Sequence, residues 1–210
     1  MAQFMGNELL QGELVNLARP EKEEMEMFAR WSHDIGYQRN LRRGMVYPSV
    51  AGDWESWFSQ MIDKEEGFPF SVRRRDDDRL VGFSVIKDIF WQARHCQVVI
   101  GIDPAQQGRG YGTDAMRVLL KYCFLEMNLN RVGLDVLGYN SAALRVYEKV
   151  GFQVEGTLRS FAFRDGVFYD MHTMGILRSE WERLYGQSAV SYSPSAPAPA
   201  RAAAGRSPGG

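Results

Sequence analysis

The feature that most constrains this chain lies near its middle. An apolar run over residues 98–102 passes through Asp103-Pro104 into Gln107-Gly108-Arg109-Gly110-Tyr111-Gly112, and a helical pattern begins at once. A strand that feeds a glycine-rich turn at a helix start leaves several backbone N–H groups unpaired and pointing the same way. The positive end of the helix dipole lies behind them. Glycines at 108, 110 and 112 remove the side chains that would hold an anion off. The junction reads either as a structural turn or as a pyrophosphate cradle. Two familiar nucleotide motifs fit it poorly. The dinucleotide fingerprint wants Gly or Ala three residues after its second glycine, where this chain has Thr113, and no repeated βαβ units surround the turn. The P-loop needs Gly-Lys followed by Ser or Thr, which occurs nowhere.

A chain of 210 residues with a net charge of −1 suits one domain that buries roughly two thirds of its unfolded surface. Its neutral balance argues against a broad nucleic-acid footprint. Apolar runs fall far short of a bilayer span, and Glu8 and Glu13 crowd the N-terminal region, so no membrane partner and a cytoplasmic location are expected. Cys96 and Cys123 lack the paired spacing of a disulfide framework or zinc site, and buried free thiols are expected. His95 and Cys96 are neighbours on a strand pattern, so they point to opposite faces and cannot act as base and nucleophile. His33, His95 and His172 stand alone, and no metal is expected. From about Gln187 the composition turns to Ser, Pro, Ala and Gly, so the expected organisation is one domain over residues 1–186 and a disordered tail over 187–210.

Periodicity supplies the elements between. Residues 13–19 suggest an opening strand, and Pro20 with Glu21, Glu23 and Glu24 suits the first turn of a helix reaching about Trp31. A second helix capped by Asp53 carries Trp54, Trp57, Phe58 and Met61 at i, i+3, i+4 and i+7, an aromatic stripe expected in the core. The intervening stretch 36–52, with Tyr37, Arg39, Arg42, Arg43, Tyr47 and Pro48, reads as an irregular, basic substrate mouth. Strands are expected at 68–74 and 80–87, joined by a solvated charged turn containing Asp76, Asp77 and Asp78, and then at 93–102. After the glycine turn come a helix, a strand at 131–137, a helix at 141–150 and two strands at 152–163 and 167–177 around Arg164-Asp165-Gly166. This order predicts a mixed sheet with helices on its faces.

Strand, Gln-x-x-Gly-x-Gly turn, helix, strand, Asn140, then a helix ending in Tyr147-Glu148-Lys149-Val150-Gly151-Phe152 resembles the GNAT acetyltransferase superfamily. Further on, Gly151-Phe152-Gln153-Val154-Glu155-Gly156, Arg159, Asp165-Gly166 and Asp170 resemble the branch of ribosomal-protein alanine and serine N-acetyltransferases. The resemblance covers about residues 14–185. It implies an α/β (α+β) fold with a mostly antiparallel sheet of about seven strands and helices on both faces. It also implies acetyl-CoA as cosubstrate and an amine acceptor, either a protein or peptide N-terminus or a small molecule, handled by a monomer or homodimer. By the same resemblance, backbone groups of Val99, Ile100 and Ile102 hold the pantetheine arm, and the turn of Gln107, Gly108, Arg109, Gly110, Tyr111, Gly112 and Thr113 holds the pyrophosphate through its amides. Asn140 then fixes the cofactor near its sulfur, and Tyr147, two helical turns on, donates a proton to the departing thiolate.

Many relatives carry a glutamate seven residues before the strand's proline. This chain has Gln97, which accepts no proton at neutral pH. A water chain, Asp135 or Asp88 is left as the alternative base. An α-amine with pKa near 8 is roughly a tenth neutral at pH 7, and a lysine amine less than about a thousandth. The missing carboxylate therefore favours an α-amine or another low-pKa amine over lysine, and the basic mouth disfavours a polyamine. Where the N-terminal branch often has a serine three residues after the asparagine, this chain has Ala143, with Ser141 nearer.

Overall fold

The computed structural model describes residues 8–63 and 67–189. In chain order, strand β1 (Val15–Ala18) leads through a tight turn (Lys22–Glu24) into helices α1 (Met25–Trp31), α2 (Ile35–Leu41) and α3 (Ala51–Asp63). Strands β2 (Gly67–Arg74), β3 (Leu80–Phe90) and β4 (His95–Ile102) follow, then helix α4 (Tyr111–Lys121), strand β5 (Arg131–Leu137) and helix α5 (Ser141–Lys149). The chain finishes its sheet with β6 (Gln153–Arg164) and β7 (Val167–Leu177) and continues into helix α6 (Arg178–Ala189). All seven strands join one sheet in the order β1-β2-β3-β4-β5-β7-β6.

Both faces of that sheet are covered, which is why residues 80–86 of β3 are buried without alternation. On one face, α4 presses Ala115, Met116, Val118 and Leu119 against Val81, Ile86 and Val98. Over the other face, α1 and α3 bring Phe28, Trp54 and Phe58 onto Phe83 and Val85. The rings of Phe28 and Trp54 lie 5.6 and 5.0 Å from that of Phe83, both edge-on, the geometry that aromatic quadrupoles favour. The aromatic stripe of α3 is thus core, as its spacing predicts, although Trp57 stays half-buried.

An ordered carboxylate ties the sheet edge to the central helix. Buried Asp114 on α4 accepts the N–H groups of Glu13, Leu14 and Val15 at 2.7–3.2 Å. The backbone at Gly12 passes so close that any β-carbon there would collide with the Asp114 carboxylate.

Three expectations need correction. The stretch 36–52 is irregular only beyond residue 41, because α2 forms where Asp34 caps it by accepting the Tyr37 N–H at 3.0 Å. Gly36 and few apolar residues weaken its sequence signal, and burial of Tyr37 and Gln38 supplies what propensity does not. Asp53 does not precede α3 but lies in its first turn and accepts the Val50 N–H at 3.0 Å. Helix α6 was not anticipated. Buried Trp181 fixes it, tilted against the Phe124 ring at 5.4 Å, and it runs past Gly186 to Ala189. The remainder of the expected tail lies outside the described residues.

The sheet is antiparallel throughout except between β4 and β5. These two pair in parallel only at His95–Arg131, Cys96–Val132 and Gln97–Gly133. Beyond Gln97 the two strands diverge, and the carboxyl half of β4 has no partner on that side. Ligands of parallel sheets bind outside the carboxyl ends of the strands, and here both following helices, α4 and α5, begin beside the opening.

Candidate active site

A cavity of about 460 Å³ occupies the opening between β4 and β5. The turn after β4 is shaped by Asp103, whose Oδ1 accepts the Ala105 N–H at 2.9 Å, and by Gln107, whose Nε2 donates to the Ile102 carbonyl at 3.2 Å. Gly108 and Gly110 adopt φ of +76° and +88°, conformations that cost other L-residues about 1–2 kcal/mol. Among the described residues, no protein acceptor bonds the backbone N–H of any residue from Gln107 to Thr113, and the first N–H bond of the helix is from Asp114 to Gly110. Seven donors in one turn, with a helix N-terminus among them, can receive a diphosphate without displacing a protein group.

Ten of the expected residues line this cavity, namely Ile100, Ile102, Gln107, Gly108, Gly110, Tyr111, Gly112, Thr113, Asn140 and Tyr147. Two do not. Arg109 is exposed on the turn, and Val99, one residue out of phase with Ile100, points through the sheet to the opposite face. There it lines a second cavity of about 500 Å³.

Asn140 caps α5, accepting the Ala143 N–H at 3.1 Å through Oδ1, which leaves its amide N–H₂ for the cavity. Tyr147 lies two turns along the same helix face, buried against the Phe152 ring at 5.9 Å, and burial pushes its pKa up to about 12. A phenol in that state keeps its proton throughout the neutral range, so it is present as a donor and not as a base.

Sequence reasoning placed Tyr37 in the mouth without a role. Its hydroxyl is buried without a hydrogen-bond partner beside Gly101, where a β-carbon would come within 2.5 Å of it. Burial first, and the Asp103 charge second, hold this phenol well above the ordinary tyrosine range. Arg145 and Lys149, one turn apart on α5, add positive charge to the cavity rim. The only signal for them was their i,i+4 spacing in a helix already suspected of facing the cofactor.

Among the described residues, no carboxylate or histidine lines this first cavity. Gln97 sits where the strands still pair, with Nε2 close to Gly133. Asp135 is engaged by Arg43 at 2.6 Å and by the Thr173 hydroxyl at 2.8 Å. Asp88 is exposed, is paired with Lys87 and lines neither cavity. Cys96 and Cys123 are buried free thiols with Sγ atoms 4.0 Å apart, while His95 stacks on Phe90 at 4.7 Å. Among the described residues, no group of three His, Cys, Asp or Glu is placed to hold a metal, and no helix is long and apolar enough to cross a membrane.

The family model for the acetyltransferase (GNAT) domain matches residues 15–153. The chain belongs to the GNAT family. With membership come the acyltransferase class, N-acetyl transfer as the reaction and acetyl-CoA as cosubstrate. Among relatives of this GNAT chain, Probable N-acetyltransferase YjcK of Bacillus subtilis (strain 168) is 32% identical over 160 residues, 72% of this chain and 86% of the relative. The SPbeta prophage-derived N-acetyltransferase YokL of the same organism is 26% identical over 175 residues, 83% and 96% of the two chains. The solved spermidine N-acetyltransferase of Vibrio cholerae, in complex with CoA and spermine, superimposes with a TM-score of 0.73 at 24% identity, covering 80% of this chain and 97% of that one. The seven-stranded GNAT architecture is therefore shared.

Proposed function

We propose that this GNAT enzyme transfers the acetyl group of acetyl-CoA directly to an α-amine, carried by a peptide or protein terminus or by a small amino-acid-like molecule. The observation that carries the reading is the combination of free N–H donors from Gln107 to Thr113 with a cavity that offers no proton-accepting side chain. In this reading the diphosphate rests on those donors, the pantetheine arm follows Ile100 to Ile102, and Arg145 and Lys149 complement phosphate at the rim. Asn140 and Tyr147 then face the thioester.

The amine nitrogen attacks the thioester carbonyl carbon and forms the N–C bond. Collapse breaks the C–S bond, the Tyr147 hydroxyl proton passes to sulfur, and the proton lost by nitrogen leaves to water, which restores the phenol. No covalent enzyme intermediate is required. Direct transfer gains from holding both reactants at the strand opening. An α-amine needs no strong base because about a tenth of it is neutral at pH 7.

The likeness to a spermidine N-acetyltransferase raises a polyamine as the second reading. Charge opposes it. Among the described residues, Arg42 lines the second cavity with no carboxylate in ion-pair distance, Arg43 and Lys87 are already paired with Asp135 and Asp88, and Asp53 is the one acid in either lining. Calorimetry with acetyl-CoA, followed by thiol release with peptides, amino acids, a lysine side-chain amine and spermidine, tests the reading. Binding of acetyl-CoA with turnover of α-amines is expected. No binding heat, or turnover confined to spermidine or lysine, overturns it.

A further inference from the structure

The second cavity lies across β4 from the cofactor cavity, and Leu41 lines both. Its floor is Trp54, Trp57 and Phe83, with ring centroids of Trp54 and Trp57 5.6 Å apart. At about 500 Å³ it has the size of a small-ligand site. Three cations border it, and they differ in one respect. Arg43 is neutralised by Asp135, and Lys87 by Asp88. Arg42 has no carboxylate within ion-pair distance among the described residues, and its charge is left open.

Arg42 is nevertheless held firmly. Its Nε donates to Gln38 Oε1 at 2.9 Å and one Nη2 hydrogen to Ser49 Oγ at 2.9 Å, and the guanidinium lies 4.4 Å from the centroid of the Tyr47 ring. Gln38 and Ser49 are each only 2% exposed. They are fixed in turn, Gln38 by donating to the Tyr47 carbonyl and Ser49 by donating its N–H to the Ser32 hydroxyl. Two of five guanidinium N–H donors are used, and three remain. A cation oriented by buried neutral groups and left uncompensated beside an aromatic floor complements a carboxylate, and its fork geometry suits that planar anion.

We infer that the acceptor is a small α-amine compound with an apolar side chain and its own carboxylate, an α-amino acid in chemical class, with Arg42 as the specificity-determining residue. The side chain lies on Trp54, Trp57 and Phe83, and the carboxylate meets the Arg42 fork. The amine reaches the thioester past Leu41, the residue next to Arg42. Asp53, the cavity's single acid, is exposed at the edge and already accepts the Val50 N–H, so it does not build a polyamine site. This inference rests on the α-amine transferase reading and narrows it.

The test measures kcat/KM with the full chain and acetyl-CoA for phenylalanine and methionine, their amides, phenethylamine, a peptide beginning with phenylalanine, and spermidine. Rates are corrected for each acceptor's neutral amine fraction. The acids are expected to exceed the amides and the peptide by about tenfold or more, the effect of a charge-assisted, bidentate contact. Arg42→Gln should bring the acids to the level of the amides while leaving amide turnover and acetyl-CoA affinity in place, and Arg42→Lys should recover part of the preference. Equal use of acid and amide by the wild type, preference for the peptide or spermidine, an equal fall for all acceptors in Arg42→Gln, or acetyl-CoA binding without turnover of any acid each overturns the inference. The wild-type comparison holds even if the variants fold poorly. Absence of acetyl-CoA binding would instead bring down the transferase reading beneath it.

Discussion

The two cavities on either side of β4 are built from different materials. The cofactor side is a backbone construction, with N–H donors of one turn, a strand that has lost its neighbour and two helix starts. The second cavity, the acceptor side in the proposed reading, is assembled from side chains of α2, α3 and the segment between them, strapped to the far hairpin. Arg39 pairs with Asp165 through two bonds of 2.7 and 2.8 Å. Arg164 donates to the carbonyls of Arg42 and Gly44, and the Tyr139 hydroxyl to that of Arg39. A backbone site recognises what all family members share. A side-chain site can change its ligand without disturbing the sheet.

Substitutions can separate the two sides. Tyr147→Phe should lower kcat by about a hundredfold, the usual loss for a general acid, while calorimetry finds acetyl-CoA affinity intact. An unchanged kcat would remove the phenol from the chemistry. The pH profile comes next. kcat/KM should climb tenfold per unit up to the pKa of the acceptor amine, about 8 for a peptide terminus and higher for a free amino acid, with no decline in the range where Tyr147 stays protonated. The same burial has a stability consequence. Because the folded pKa lies above the unfolded value of 10.0, the protonated folded state is favoured in full below pH 10, and this advantage is lost as pH rises towards about 12. Denaturant titrations should show the wild type losing stability relative to Tyr147→Phe over that window, by about 1.4 kcal/mol per unit.

Gly110→Ala should weaken acetyl-CoA by about tenfold, since alanine resists the left-handed turn, with acceptor KM unaffected. If acceptor KM moved as well, the two sides would not be separate constructions. The smallest effect is expected from Asp165→Ala, which frees α2 from the hairpin. Acceptor KM should rise about two- to fourfold, as befits an exposed ion pair, and acetyl-CoA affinity should hold.

The same contrast explains how far the residues could be read unaided. Gly108, Gly110 and the helix beginning at Tyr111 are legible as a glycine turn before a helix, and the second motif around Asn140 and Tyr147 is what turns that into a cofactor reading. Tyr147 stands out only through the family resemblance, since its spacing to Asn140 alone fits a core tyrosine as well. Val99 is expected, by resemblance, to lend its backbone to the cofactor, and strand phase does not tell from sequence that its side chain faces the second cavity. Helix α2 was hidden by Gly36 and by a polar face, although Asp34 with Tyr37 and Leu41 formed a faint cap and i,i+4 pair. The singling out of Arg42 needed three dimensions, since its distinction lies in what Arg43 and Lys87 are paired with.

Leu41 belongs to the walls of both cavities. If the acceptor occupies the second cavity as proposed, a ligand that displaces that side chain from one direction alters the surface met from the other, which gives the two substrates a shared point of contact. Linkage through such a contact is reciprocal: any factor by which bound cosubstrate sharpens the grip on the acceptor is the factor by which the acceptor sharpens the grip on the cosubstrate.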